Sequence, residues 1–196
     1  VPTVAEVEAA IRDLMETDNK VRIASADKLA KCYTVLPDRR ADVAKALVPL
    51  ATDKDAGVSR AVQNALKLWI GPEVVKDLVA LLEKADVGPA QHDLIALIAP
   101  YKEPAASNVL AKCLNSQNNR GHAEPALKAI GPAAEKAVIP ILEVKDGWSV
   151  QAACRVLKEI GTKESIAPLQ ALIDKKPDVF TTGAADDALK TIKKRN

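Results

Sequence analysis

Aromatic side chains make up only 3% of this 196-residue sequence: one Phe, two Tyr and two Trp. β-Sandwiches and barrels rely on aromatic and β-branched residues for their half-buried faces, so the scarcity argues against an all-β architecture. Glycine is also sparse, with 8 residues, and no glycine-rich phosphate loop occurs among them. Histidine appears twice, at His92 and His122, which leaves little scope for a nucleophile activated by an imidazole base. There is no Gly-x-Ser-x-Gly elbow, His-Glu-x-x-His or Cys-x-x-Cys pair. The three cysteines, Cys32, Cys113 and Cys154, are distant and odd in number, so they imply no disulfide framework and read as buried small hydrophobes. Charge of one sign is missing as well. The chain carries 28 basic and 26 acidic residues, and its pI near 8.4 falls short of the value of about 9 typical of nucleic-acid-binding domains. No stretch approaches the roughly 18 apolar residues of a membrane span, and no signal peptide is visible. The expectation is a soluble chain, cytoplasmic rather than secreted. Because it begins at Val1, it is expected to be excised or processed from something larger.

What is abundant points to helices. Ala, Val, Leu and Ile dominate the apolar 48%, accompanied by Lys, Glu and Asp. One short pattern then recurs: Ala65-Leu66-Lys67, Ala126-Leu127-Lys128-Ala129-Ile130-Gly131, Val156-Leu157-Lys158-Glu159-Ile160-Gly161 and Ala188-Leu189-Lys190-Thr191-Ile192, with a looser copy at Lys28-Leu29-Ala30-Lys31. The leucines are spaced by about 30 to 37 residues once Leu94 to Ile98 is counted, a period typical of stacked helical repeats. Five residues before the leucine stand Ala24, Ala61, Ala152 and Ala184, read as a small-residue slot that lets helices approach. A second apolar segment lies between each pair of leucines, and several carry a proline (Pro49, Pro140, Pro168) that should bend or begin a helix. Gly71-Pro72 and Gly131-Pro132 suit a helix end with φ > 0 followed by a new start, and Asp18 and Asp53 to Asp55 offer N-caps. The pairs should begin near residues 3, 39, 72, 104, 132 and 164. The third is hardest to register, and the Tyr101-Lys102-Glu103-Pro104 connection looks lengthened.

The pattern Asp-x-x-Val-Arg-x-x-Ala-x-x-x-Ala-Leu-x-x-Ile-Gly resembles HEAT repeats, in particular the short bacterial type also found in phycobilisome lyases. Ser149-Val150 and Thr181-Thr182 depart from its Val-Arg pair. The resemblance covers nearly the whole chain and implies an all-α, right-handed α-solenoid of about six HEAT-like helix pairs, armadillo-like, forming a single domain over residues 1–196. No cofactor and no metal are expected, since the sequence names no further ligands beside the two histidines. The function it favours is a non-catalytic protein–protein interaction scaffold that holds a partner on the concave surface formed by the second helices. Two competing classes share the repeat type. One is a HEAT-like DNA-binding protein or alkylpurine DNA glycosylase relative, for which the positive charge is too small. The other is a phycobilin lyase-like or chaperone module, which would want an aromatic, Arg-rich groove.

A lysine follows the leucine in four copies, at Lys67, Lys128, Lys158 and Lys190, and Arg60 and Arg155 join the same side. Stacked copies would align these into a basic ridge, interrupted by Asp27 and Asp187 and suited to an acidic segment of a partner protein. Nucleic acid is disfavoured as the partner. Reversing Lys128, Arg155 and Lys158 together should weaken binding and leave the melting temperature nearly unchanged. Trp148 opens a second helix and reads either as an exposed anchor or as a cap over its neighbour, whereas Trp69, three after Leu66, reads as core. His92 and His122 fall in one slot if the third pair is registered on Leu97, and read as partly buried spacers rather than ligands.

Overall fold

The computed structural model describes residues 3–33, 37–84 and 89–195. Among the described residues the protein is all-helical, without a strand, and no helix is long and apolar enough to cross a membrane. The chain divides into two compact units between Tyr101 and Lys102, within the connection that looks lengthened in the sequence.

The first unit contains α1 (Val4–Asp13), α2 (Asn19–Cys32), α3 (Arg40–Leu47), α4 (Ala56–Trp69), α5 (Pro72–Lys84) and α6 (Pro89–Ile98). The second contains α7 (Ser107–Cys113), α8 (Arg120–Ile130), α9 (Glu135–Val138), α10 (Gly147–Ile160), α11 (Ile166–Asp174) and α12 (Val179–Arg195). Helices pack in consecutive pairs, and each even-numbered helix also packs on the next within its unit: α2 on α4 and α4 on α6, then α8 on α10 and α10 on α12. The starts expected from the sequence fall within a few residues of those seen.

Local chemistry explains the boundaries. Asp18 accepts from the Lys20 N–H at 2.8 Å and Asp55 from the Val58 N–H at 3.0 Å, capping α2 and α4 as anticipated. Pro49 and Pro140 each sit in a 3-10 turn that closes a first helix, and Pro168 lies in the first turn of α11, where its missing donor matters least. Gly131 takes φ 82 at the end of α8. Gly71 does not behave this way: among the described residues Gly131 is the one glycine at positive φ, and α4 ends instead on Ile70 in an extended conformation.

The core follows the leucines. Leu29, Leu66, Leu127, Leu157 and Leu189 are all buried. The small-residue slot needs correction by one place. Ala61 and Ala152 are buried, Ala184 is half-buried and Ala24 is exposed, whereas Ser25, Val62, Ala123, Ala153 and Ala185, four before the leucine, are all buried. Residues four apart on a helix differ by about 40° in direction and residues five apart by about 140°, so the fourth shares the leucine's face. Trp69 is fully buried, donates its indole N–H to the Leu29 carbonyl at 2.8 Å, and meets Tyr33 edge-on at 5.3 Å. In the second unit the buried carboxylate of Glu135 holds the start of α11. It accepts from the Thr162 N–H at 2.7 Å, the Thr162 hydroxyl at 2.8 Å and the Ser165 hydroxyl at 2.5 Å. All three cysteines are buried free thiols, and burial pushes Cys113 up to about 11 and Cys154 to about 12.

Candidate functional site

The outward faces of α8, α10 and α12 bring together five of the seven residues singled out in the sequence. Residues seven apart on a helix differ by only about 20° in direction, so Trp148 and Arg155 share one stripe of α10, with Lys158 three further on. Lys128 lies on α8 and Lys190 on α12. Arg60 and Lys67 lie on α4 of the first unit. Both are exposed, and the Lys67 ammonium donates to the Asn64 side chain at 3.3 Å.

The ridge in the second unit is a ladder of alternating sign. Arg155 grips Glu124 of α8 with Nε at 3.1 Å and Nη2 at 2.9 Å. Lys128 meets Glu159 of α10 at 2.8 Å and Glu124 on its own helix at 3.2 Å. Lys158 reaches Asp187 of α12 at 2.8 Å, and Lys190 pairs with Asp186 at 2.5 Å. Every cation of the ridge in this unit therefore faces a carboxylate. Partial burial opposes ionisation of Glu124, but hydrogen bonds from Arg155 and Lys128 outweigh it and hold its carboxyl below the usual range. Burial likewise works against the Lys128 charge, and Glu159 and Glu124 together outweigh it and raise its pKa.

At the N-terminal ends of α10 and α12 the chemistry changes from ionic to aromatic. Trp148 is 67% exposed and Phe180 78% exposed. They occupy the same place in the pattern, nine before Leu157 and Leu189, and each follows an aspartate cap by two residues. Asp146 accepts from the Ser149 N–H at 2.9 Å and hydroxyl at 2.5 Å, while Asp178 accepts from the Phe180 and Thr181 N–H groups at 2.9 and 3.0 Å and from the Thr181 hydroxyl at 2.6 Å. The Ser149 and Thr181 hydroxyls in particular hold these two carboxyls below their ordinary range. The two helix ends abut, since the Gln151 amide donates to the Thr181 hydroxyl at 3.3 Å. Beside Trp148 lies an open pocket of ≈ 460 Å³ lined by Asn115, Gln117, Arg120 and Asp146. Arg120 is fixed there by Asp146 at 2.8 Å and by the Leu114 carbonyl at 2.8 Å.

Sequence reasoning anticipated Trp148 and left its role open between anchor and cap; the residue is exposed rather than buried against its neighbour. It missed Phe180, although counting nine back from Leu189, as from Leu157, finds it. His92 is exposed on α6 and His122 half-buried on α8, so the expectation of a partly buried spacer holds for His122 alone. Among the described residues no group of three His, Cys, Asp or Glu side chains could hold a metal ion.

No protein-family model matches the chain, and no curated protein matches it. Solved structures do. A crystal structure of an engineered protein from the Northeast Structural Genomics Consortium is 22% identical over 96% of this chain and 97% of that one, with a TM-score of 0.58. A second engineered protein from the same source is 22% identical over 96% of this chain and 98% of its own, with a TM-score of 0.55. A third is 24% identical over 95% of this chain and 58% of its own, with a TM-score of 0.59. At such identities the likeness bears on the fold alone.

Proposed function

We propose that this chain is a non-catalytic interaction scaffold, built of HEAT-like helix pairs, that holds a partner protein on the outward face of α8, α10 and α12. The observation that carries the reading is the pair Trp148 and Phe180. Two of the five aromatics in the sequence stand exposed in the same pattern position on adjacent helices. Exposed large apolar side chains grouped on one surface mark interaction sites, and aromatic residues are enriched where partners bind tightly. The ion-pair ladder weighs against an acidic segment lying along Lys128, Arg155, Lys158 and Lys190. Such a partner would have to displace Glu124, Glu159, Asp186 and Asp187, already in place without loss of translational freedom. The ladder fits better as the rim that sets the register of α8, α10 and α12, with the aromatic end as the contact.

The test is a comparative capture from native lysate, read by quantitative mass spectrometry, using the parent chain, Trp148→Ser/Phe180→Ser and a control, Met15→Ser. Far-UV CD and melting temperature are matched first. At least one protein captured by the parent and the control should be lost, by about tenfold or more, with the double variant. Identical captures by all three would remove the aromatic face from consideration.

A further inference from the structure

We infer that the groove between α3 and α5 docks an acidic peptide segment of a protein partner by one aliphatic side chain, and that Glu143 bars the same ligand from the matching groove of the second unit. The groove occurs twice. In the first unit it has a volume of ≈ 300 Å³, with Val48 and Pro49 from the turn that closes α3 facing Ala80, Leu81 and Lys84 of α5. In the second unit a groove of ≈ 300 Å³ is lined by Ile139, Pro140, Ala171, Leu172 and Lys175. Each of these stands 91 positions after its counterpart, as Leu157 does after Leu66. The same lining at the same register makes the groove a product of the repeat rather than of one chance arrangement of side chains.

The floor selects an apolar group. Val48 and Leu172 are buried and Leu81 and Ile139 half-buried, so the aliphatic surface lies recessed. Pro49 and Pro140 have no N–H to offer, and the backbone groups of Ala80 and Ala171 are spent inside their helices. Such a floor gains by covering an aliphatic side chain, not by hydrogen-bonding a backbone. Its recess also disfavours a membrane surface, which takes up apolar side chains that protrude.

Charge separates the two copies and sets the sign of the ligand. Lys45 and Lys84 line the first groove against Asp77 alone. Among the described residues neither lysine takes part in an ion pair, whereas each cation of the α8–α10–α12 ladder does. In the second groove Lys175 is offset by Glu143, which stands where the first unit has Thr52. Lys136, the counterpart of Lys45, is drawn to Glu164 at 3.9 Å. The first groove is therefore basic and the second neutral. Unpaired ammonium groups beside a recessed aliphatic floor complement a leucine flanked by carboxylates, and a carboxylate inside the groove repels the same ligand. A nucleic acid would bring the negative charge without the aliphatic chain.

The experiment titrates the full chain with three labelled peptides, read by fluorescence anisotropy and by calorimetric stoichiometry. One carries a leucine flanked by glutamates, one a leucine flanked by lysines, and one a serine flanked by glutamates. Melting temperatures of all variants are matched to the parent first. The glutamate–leucine peptide should bind at least fivefold more tightly than the other two, with one site per chain, and its affinity should fall as salt rises. Lys84→Glu should weaken it by about tenfold or more, and Ala80→Gln, which fills the groove from an exposed position, should do the same. Glu143→Thr should raise the stoichiometry to two, and adding Ala171→Gln should return it to one. Trp148→Ser/Phe180→Ser should bind the peptide as the parent does, so this inference and the aromatic face fail separately. Equal binding of the three peptides, no binding of any, or binding indifferent to Lys84→Glu and Ala80→Gln would overturn the docking site. A parent that already binds two peptides, or a Glu143→Thr variant that still binds one, would overturn the role of Glu143.

Discussion

The two units use the same device at the starts of their second helices and spend their aromatic residues in opposite ways. Asp18 and Asp55 cap α2 and α4 in the first unit, and Asp146 and Asp178 cap α10 and α12 in the second. In the first, Trp69 fills the core, Tyr33 meets its ring, and the Tyr101 hydroxyl donates to the Ile70 carbonyl at 2.9 Å. In the second, Trp148 and Phe180 point outward and ion pairs join the second helices along their length; the first unit also has an ion pair between successive repeats, Arg22 of α2 with Asp53 just ahead of α4 at 2.6 Å. One arrangement makes the ring part of the stabilising core, and the other leaves it exposed on the surface. The pattern position decides which: three after the leucine lies on the buried stripe, and nine before it lies at the exposed helix start.

The sharpest way to break this comparison is to truncate both tryptophans. Trp69→Ala should cost about 3–5 kcal/mol, from the cavity and from the Leu29 carbonyl that loses its donor. Trp148→Ala should stay within about 0.5 kcal/mol, as for a surface site. Urea unfolding followed by far-UV CD measures both, and comparable losses would mean that Trp148 is structural.

Charge reversal of Lys128, Arg155 and Lys158 comes next. The expectation from sequence was an unchanged melting temperature, but the ladder changes the arithmetic. Each reversed residue would face Glu124, Glu159 or Asp187 at close range. A loss of about 2–3 kcal/mol is expected, since like charges replace four pairs, two of which share the partly buried Glu124. A thermal melt as stable as the parent's would return the ridge to the status of a solvated face.

Acidity and alkalinity act on the same pairs with definite signs. The folded pKa of Glu124 lies below its ordinary 4.5, so its contribution is fully present above about pH 4.5 and is lost as pH falls through the folded value. The folded pKa of Lys128 lies above 10.5, so its contribution persists below that pH and is lost as pH rises through the folded value. Asp55 in the first unit is also depressed, chiefly through the Val58 N–H, so an acid-side loss is common to both units. Glu124→Ala should lower stability at neutral pH by about 1–2 kcal/mol and flatten the acid limb of the melting profile. An unchanged limb would show that other carboxyls carry it.

How far the sequence could be read depends on how local each feature is. The leucine stripe, the aspartate caps and the helix starts are set by contacts within a few residues, so periodicity and cap chemistry made them legible. The ladder was not: Arg155 and Glu124 are 31 residues apart in sequence, and Lys158 and Asp187 belong to different helices. Seen one helix at a time, the lysines formed a basic ridge and Asp187 an interruption. Packed side by side, the interruption is the partner. The alanine slot is legible only in part: Ala61 and Ala152 are buried, but the position that shares the leucine's direction lies one place later. Phe180 is legible in principle, because Leu189 fixes its place as Leu157 fixes that of Trp148.

The smallest effect expected is a gain, and it tests whether the turn leading to Phe180 is held under strain. Lys176 adopts φ 52 just beyond α11, and its N–H donates to the Ile173 carbonyl at 2.9 Å. This is the left-handed conformation that commonly ends a helix, and it costs a residue with a Cβ about 1 kcal/mol relative to glycine. Lys176→Gly removes that cost but gives the unfolded chain more freedom, which offsets part of the gain. The net should be a stabilisation of at most about 0.5 kcal/mol, read as a rise of a degree or two in the calorimetric melt. Lys102, at φ 51 where the units join, supplies the comparison, and Lys102→Gly should give a gain of the same size. A loss of stability with Lys176→Gly alone would mean that the Lys176 side chain contributes contacts to the turn before Pro177. The α11–α12 loop would then hold Phe180 in place through that side chain as well as through the Asp178 cap.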